Sequence, residues 1–227
     1  MAGTGPFRRA AAGLRSGARI GEPSAPAAGV VPILRRVADF PTGGDPVRIV
    51  SCSLNPSSRS HVLALAADAT LDALGVPHEV VDLRDWDLPI CDGADCYSHP
   101  SIGPITEKVE GAAAVLIAAP VYNYDLNAAA KNLVELTGSA WAGKPVGFLC
   151  AAGGQRSYMA PIGLANSLMF DFRSHIIPRY VYASRDDFTP ERAPTAELTG
   201  RIEQLARAAV DLAAALRWLR TRAAAGV

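Results

Sequence analysis

The sequence has no excess of charge of either sign, because 22 lysines and arginines balance 22 aspartates and glutamates. This balance argues against a nucleic-acid-binding protein, which normally carries a basic surface. The chain also lacks an apolar run of about 20 residues, the length that a helix needs to cross a bilayer. We therefore expect neither nucleic acid nor a membrane among its partners.

Cysteine is scarce, with Cys52, Cys91, Cys96 and Cys150 as the only four, and no two of them form a C-x-x-C motif. A disulfide-stabilised domain is usually shorter and richer in cysteine. Cys91 and Cys96 share a polar loop with His99, but a structural zinc site needs four ligands at tighter spacing, so a polar surface loop is favoured over a metal site. The cysteine content therefore indicates a reducing compartment, the cytoplasm.

The first 45 residues differ in composition from residues 46–227, which form the predicted globular domain. This leader is rich in alanine, glycine, proline and arginine, and up to Arg36 it holds six arginines and one acidic residue. An Arg-rich, acid-poor leader is typical of an organelle transit peptide, which would change the predicted location. A low-complexity disordered tail and an upstream misassigned start codon are the alternatives.

From residue 47 onward, β-branched apolar runs alternate with helical patterns. Predicted strands cover 47–52, 78–83, 113–119, 145–151 and 176–183, and predicted helices cover 58–74, 102–111, 127–136, 158–172 and 195 to about 222. The first helix is predicted from apolar residues that include Leu65 and Ala69. Regular alternation predicts an α/β fold, in which helices cover both faces of a doubly wound parallel sheet.

The loop after the first strand reads S-L-N-P-S-S-R-S at 53–60 and leads directly into the first helix. Helix N-termini bind anions, since their N–H groups lack partners and carry a partial positive charge. An ordinary helix cap is the alternative, but a cap needs only one serine. No G-x-G-x-x-G pattern follows the strand, so a terminal monophosphate, such as that of FMN, is favoured over a dinucleotide.

Two later strand ends also carry groups suited to a ligand. P-V-Y-N-Y-D at 120–125 follows a buried strand, which we expect Pro120 to end. Tyr122, Asn123 and Tyr124 would offer aromatic faces and an amide to a flat heteroaromatic ring, although a polar turn with tyrosines in the core is equally compatible. A Gly-Gly turn at 153–154 suits a close backbone approach. Ligands of open α/β sheets bind at this carboxyl edge.

Together these segments resemble the NADPH-dependent FMN reductase family of flavodoxin-like proteins. The matching segments are 53–60, A-A-P-V-Y-N-Y at 118–124, A-K-N-L-V-E-L at 130–136, G-K-P-V at 143–146 and G-G at 153–154. The resemblance covers about residues 47 to 183, and the combined order and spacing are more specific than any single segment. It implies a flavodoxin-like five-stranded parallel sheet in the order 2-1-3-4-5.

The resemblance also implies which residues hold FMN. The phosphate would be held by Ser53, Asn55, Ser58, Arg59 and Ser60, the isoalloxazine ring would lie against Pro120, Val121, Tyr122 and Asn123, and Gly153 and Gly154 would flank the ring. Family members often have Glu where this chain has Val121, and a smaller residue where it has Tyr124. These departures bear on the choice of substrate and nicotinamide more than on flavin binding.

By the same resemblance, the chain is expected to be a homodimer or homotetramer that transfers hydride from NADPH or NADH to bound FMN. The reduced flavin would then reduce a small-molecule acceptor such as a flavin or quinone. No catalytic side chain is assigned, since a flavin supplies the redox chemistry itself. A non-enzymatic flavodoxin-like electron carrier is the main alternative, although carriers tend to be strongly acidic. A domain that binds another phosphorylated ligand is the second.

Overall fold

The computed structural model describes residues 44–226, so the predicted leader lies outside the described residues except for its last two. The remainder forms a seven-stranded sheet with the core order β2-β1-β3-β5. The strands are β1 (Val47–Ser51), β2 (His78–Asp82), β3 (Ala114–Tyr122), β4 (Asp125–Leu126), β5 (Pro145–Ala151), β6 (His175–Ile176) and β7 (Val181–Ala183). β6 and β7 both pair in parallel with the free edge of β5, as one interrupted strand. The predicted doubly wound order 2-1-3-4-5 is therefore confirmed.

Five α-helices cover the two faces of the sheet, and each connects successive strands or follows the last one. They are α1 (Arg59–Ala73), α2 (Ile102–Glu110), α3 (Ala128–Thr137), α4 (Ile162–Phe172) and α5 (Ala196–Ala224). α1 and α5 share one hydrophobic cluster with the sheet, and α2, α3 and α4 share another on the opposite face. β3 and β5 are buried on both sides between these layers, as their continuous apolar sequences predict.

The interrupted edge strand corrects the prediction of one continuous strand at 176–183. Residue 175 pairs with Pro145 and Val181 pairs with Leu149, so the edge strand has two more residues than β5 between the paired positions. The extra residues lie around Pro178, which has no N–H to donate to a sheet. Because β6 and β7 lie at the edge of the sheet, this interruption leaves the pairing of the central strands intact.

Two expectations about helices are also corrected. The first helix turns a different face to the sheet, since Leu63 and Leu71 are buried whereas Leu65 is 48% exposed and Ala69 is also exposed. The fourth helix begins at Ile162, four residues after its predicted start. The sequence pattern that predicted this helix includes residues 158–161, but these residues form a turn before the helix. Pro161 occupies the N-cap.

Pro120 does not end the third strand. β3 continues to Tyr122 and then turns back as a two-residue hairpin into β4, which the sequence did not predict. Pro120 still pairs with Ala151 of β5, and its carbonyl accepts a bond from Asn127 N at 3.1 Å. The hydrogen bonding of the backbone is thus satisfied, although proline has no N–H to donate.

Within residues 44–226, no helix is long and apolar enough to cross a membrane.

Candidate functional site

The three loops singled out in the sequence emerge side by side. They are the serine loop (residues 53–60), the tyrosine hairpin (residues 120–127) and the glycine loop (residues 152–156). Their strands β1, β3 and β5 are adjacent and parallel, with Ser51 opposite Ala118 and Pro120 opposite Ala151. Parallel neighbours place their carboxyl ends at one edge, which is where open α/β sheets bind ligands. The tertiary structure therefore brings all the predicted site residues to that edge.

The serine loop caps α1 through Ser58. Its Oγ accepts from Ser60 N at 3.2 Å and lies 2.7 Å from Ser60 Oγ. The ordinary cap role considered above is thus present. A bond between two hydroxyls uses only one of their two hydrogens, however, so the other hydroxyl can still donate to an anion. Both side chains are nearly buried, which limits competition from water.

The rest of the serine loop also has hydrogen-bond donors that its internal bonds do not use. Asn55 Oδ1 accepts from Ser57 N at 2.9 Å, which leaves the exposed Asn55 amide NH₂ free to donate. Ser53 is 1% exposed, and its Oγ accepts from Asn55 N at 3.3 Å. Its O–H remains available, because that bond uses only a lone pair. A short segment therefore presents several donors at a helix N-terminus.

Arg59 supplies the positive charge of the serine loop. Its guanidinium carbon lies 5.8 Å from the centre of the Phe188 ring, within the range of cation–π contact. Arg59 Nε is buried and has no hydrogen-bond partner in the part of the chain that is described. A buried donor without a partner costs about 1–3 kcal/mol. An anionic ligand oxygen at this place would remove that cost.

A second arginine reaches the serine loop from the segment that precedes α5. Arg192 donates to the carbonyl of Ser57, and the same segment carries Phe188. Phe188 and Arg192 therefore lie against the serine loop. Sequence reasoning missed this contact, since nothing local links position 192 to position 57.

The first turn of α1 is held in place by a polar network across β1 and β2. His61 Nδ1 lies 3.0 Å from Ser51 Oγ and 3.2 Å from Asp82 Oδ2, and Arg84 approaches His61 Nε2 at 3.3 Å. Arginine only donates, so Nε2 must carry the lone pair and Nδ1 the hydrogen. Burial alone would raise the pKa of Asp82, but the hydrogen bonds and charge of Arg84 outweigh burial and lower it.

This network is structural and does not form a hydrolase triad. In such a triad the serine and the carboxylate contact different ring nitrogens, whereas both contact Nδ1 of His61. We infer that it fixes the helix N-terminus behind the serine loop.

The tyrosine hairpin turns through two residues with positive φ, Asn123 at 50° and Tyr124 at 70°. Such a pair is typical of a type I′ turn, in which asparagine is tolerated and a bulky residue is unusual. Tyr122 and Tyr124 are 54% and 58% exposed, so they are not the core residues that the alternative interpretation expects. Residues held in sparsely populated backbone conformations cluster at active sites and ligand sites.

Asn127 joins the hairpin to the serine loop, and sequence reasoning did not place it in the site. Its Nδ2 donates to Cys52 O at 2.7 Å, and the residue is 7% exposed. Its Oδ1 is buried and has no partner among residues 44–226. An unpaired acceptor at this edge suits a ligand hydroxyl. Its position at the end of a strand loop was the signal that could have identified it.

The glycine loop leaves open space. A Cβ added at Gly153 or Gly154 would meet no protein atom within 4 Å, and neither glycine has a positive φ. The protein itself therefore does not require glycine here, whereas a ligand lying against the backbone would. Tyr182 donates to Gly154 O at 2.6 Å, and burial raises the pKa of its hydroxyl. Tyr158, whose ring centre is 5.5 Å from that of Tyr182, extends this aromatic wall.

Solved structures with the same fold include oxidoreductases and a flavodoxin. The flavoenzyme NAD(P)H:(acceptor) oxidoreductase FerB from Paracoccus denitrificans is 21% identical, with a TM-score of 0.61 over 74% of this chain and 97% of that one. An oxidoreductase from Corynebacterium diphtheriae is 22% identical, with a TM-score of 0.58 over 75% and 96%. A flavodoxin from the domain Archaea is 14% identical, with a TM-score of 0.55 over 74% and 98%. At these identities the likeness shows the flavodoxin-like fold.

The family follows from the sequence itself. Residues 46–188, more than half of the chain, match the family model described as NADPH-dependent FMN reductase. That span contains the serine loop, the tyrosine hairpin and the glycine loop. The chain therefore belongs to the NADPH-dependent FMN reductase family and is an NAD(P)H-dependent flavin oxidoreductase with FMN as its cofactor.

Proposed function

We propose that FMN binds where the serine loop, the tyrosine hairpin and the glycine loop meet, and that the enzyme reduces a small planar acceptor such as free flavin or quinone. The observation that carries this proposal is the convergence of unused hydrogen-bonding groups at one edge of the sheet, above all the buried Nε of Arg59 and Oδ1 of Asn127.

The phosphate of FMN fits the serine loop. Ser53, Asn55 and one hydroxyl of the Ser58–Ser60 pair would donate side-chain hydrogens that their internal bonds leave free, and Arg59 would donate from Nε. The other hydroxyl of the pair would hold the donor in place. Each interaction of an anion with a helix N-terminus contributes about 0.3–1 kcal/mol, and up to about 2 when partly buried. Several such contacts together would account for retention of the cofactor.

The ring and ribityl chain fit the other two loops. Pro120, Val121, Tyr122 and Asn123 would border the isoalloxazine ring on one side, and Gly153 and Gly154 would leave room for it on the other. The unpaired Oδ1 of Asn127 would accept from a ribityl hydroxyl, since such hydroxyls are donors.

Bound FMN would supply the redox chemistry, hydride transfer from a nicotinamide and electron transfer to a second substrate. The side chains of this site would bind and orient the flavin, and the exposed rings of Tyr122 and Tyr124 would lie at its border. Bulk at Tyr124 favours small or planar acceptors over large ones. The donor is NADPH or NADH, and no residue in the described part of the site is assigned to select between them.

The electron-carrier alternative shares this fold, as the archaeal flavodoxin illustrates. Carriers usually have a strongly acidic surface for docking, whereas this chain has a formal net charge of +0. A domain for another phosphorylated ligand would use the serine loop but not the tyrosine hairpin.

One set of measurements tests these possibilities. The absorption spectrum of the purified protein reports flavin, and chromatography after heat release distinguishes FMN from FAD. NADPH and NADH oxidation is then followed with free flavin, a quinone and an azo dye. We expect FMN and steady turnover with a small acceptor. Flavin without turnover would support the carrier, and colourless protein that does not take up FMN would refute the flavin site.

We further propose a homodimer or homotetramer. α4 exposes apolar residues two turns apart on one face, with Ile162 47% and Met169 41% exposed. Light scattering after gel filtration tests this, and Met169→Glu should shift an oligomer toward the monomer.

The four free cysteines support a reducing compartment such as the cytoplasm. A microscopy tag on the C-terminus distinguishes the cytoplasm from an organelle.

A further inference from the structure

Two cysteines in the loop between β2 and α2 lie in direct contact. Cys91 Sγ and Cys96 Sγ are 3.9 Å apart, and both thiols are free. A disulfide has an S–S distance of about 2.05 Å, so closing the bond needs a movement of about 2 Å. The segment between them contains Gly93, which has φ 75° and at which an added Cβ would meet no atom within 4 Å.

The two thiols differ in environment. Cys91 is partly exposed and lies 3.5 Å from the hydroxyl of Tyr97, whereas Cys96 is 5% exposed. Hydrogen bonds from Tyr97 and from the backbone at Gly93 lower the pKa of Cys91, and burial raises the pKa of Cys96. One thiol is therefore suited to attack, and the other to resolve what is formed.

A cavity of about 740 Å³ opens beside Cys91 and Tyr97. It continues along α3 and α4, past Lys131, Asn166 and Phe170. The loop is fixed to α3 because Asn132 accepts from Cys91 N and donates to Pro89 O, both at 2.8 Å. A small molecule in the cavity can thus reach a sulfur atom that the backbone holds in position.

We propose that Cys91 and Cys96 form a reversible redox pair that is oxidised by a low-molecular-weight disulfide of the glutathione type entering this cavity. The Cys91 thiolate attacks one sulfur of the small disulfide, whose S–S bond breaks and releases one thiolate. The sulfur of Cys96 loses its proton and attacks Cys91 Sγ, so the mixed disulfide breaks and a second thiolate leaves. The protein pair loses two electrons, the small disulfide becomes two thiols, and these take up the two protons that the cysteines lose.

Cys52 and Cys150 provide an internal comparison. Both are 0% exposed within the sheet, and burial raises the pKa of each thiol, that of Cys150 to about 12. Cys91 should therefore react at least about tenfold faster than either. The proposed pair lies outside the serine loop, the tyrosine hairpin and the glycine loop, and it does not depend on the flavin proposal.

The test uses the flavin-loaded protein, reduced and then freed of reductant, with oxidised glutathione as the probe. Peptide mass mapping with time should show first a glutathione adduct at Cys91. The peptide that contains both Cys91 and Cys96 should then lose the glutathione and be lighter than its reduced form by two hydrogens. Cys96→Ser should stop at the adduct, and Cys91→Ser should leave Cys96 unmodified. Dithiothreitol should restore the wild-type thiols.

The contrary results are equally clear. A wild-type protein that stops at the adduct, reacts first at Cys96, or reacts only at Cys52 or Cys150 would overturn the proposal, as would no reaction. The wild-type map alone decides between these outcomes if a variant fails to fold. The flavin spectrum, recorded throughout, shows separately whether FMN stays bound while the thiols react.

Discussion

The turn of the tyrosine hairpin offers a prediction in which the backbone and the side chain of one residue can be tested separately. Tyr124 has φ 70°, a conformation that costs a residue with a Cβ about 1–2 kcal/mol. Glycine avoids this cost, but its extra freedom in the unfolded chain offsets about 0.5–1 kcal/mol. Tyr124→Gly should therefore increase the free energy of unfolding by about 0.5–1 kcal/mol. At about 2–4 °C per kcal/mol for a domain of this size, Tm should rise by about 1–4 °C.

Tyr124→Ala is the matched control, because it removes the same ring and keeps the Cβ. It should be no more stable than the wild type, since the backbone cost remains and the removed ring is already 58% exposed. Thermal unfolding of the three proteins, each with and without FMN, provides the comparison. A glycine variant that is no more stable than the alanine variant would refute the strain argument.

The same two variants test whether the Tyr124 ring limits access to the flavin. Both should retain FMN and shift the ratio of kcat/KM for a bulky azo dye to kcat/KM for a small quinone in favour of the dye. If the ratio is unchanged in both, Tyr124 does not cover the flavin face. If the ratio shifts in Tyr124→Gly and not in Tyr124→Ala, the effect comes from the backbone and not from the ring.

Three further predictions concern the phosphate contact, the response to acid and the leader. Ser58→Asp should weaken FMN binding by on the order of a thousandfold, since like charges at about 4 Å repel by about 4 kcal/mol at an effective dielectric of about 20. Ser58→Asn is the neutral control, because aspartate and asparagine both cap helices. If fluorescence titration gives the two variants the same affinity for FMN, the phosphate assignment is contradicted. The pKa of Asp82 is lowered in the folded state, so its contribution to stability is present above about pH 4 and is lost as pH falls through the folded pKa. The difference in free energy of unfolding between the wild type and Asp82→Asn should therefore be smaller in acid. The same difference in urea unfolding at pH 7 and at pH 3 would contradict this. A chain that begins at Asp45 should fold and reduce flavin like the full chain, since residues 1 to about 40 have no periodic apolar face in the sequence. A large loss of Tm or turnover would show that the leader contributes to the domain.

The position of each loop along the chain was predictable because its signals are local. Buried β-branched runs predicted the central strands, and β5 has the predicted bounds, Pro145–Ala151. Serine-rich sequence before α1 and the Gly-Gly turn after β5 marked two of the three loops. Local signals failed at Pro120, where pairing with β5 and a bond from Asn127 keep a proline inside a strand. They also failed on α1, whose buried face depends on contact with the sheet and α5.

The sequence by itself determined the alternation of strands and helices, the family and the chemical types of the site residues, because periodicity, turn residues and motif spacing are properties of neighbouring positions. Only the tertiary structure decided which distant groups meet. Arg192 reaches Ser57 across 135 positions, Phe188 lies beside Arg59, and Asn127 bonds to Cys52 across 75. It also decided which polar atoms lack a partner within residues 44–226, as at Arg59 Nε and Asn127 Oδ1. Burial and hydrogen-bond satisfaction are set by the whole packed chain, so no local pattern can encode them.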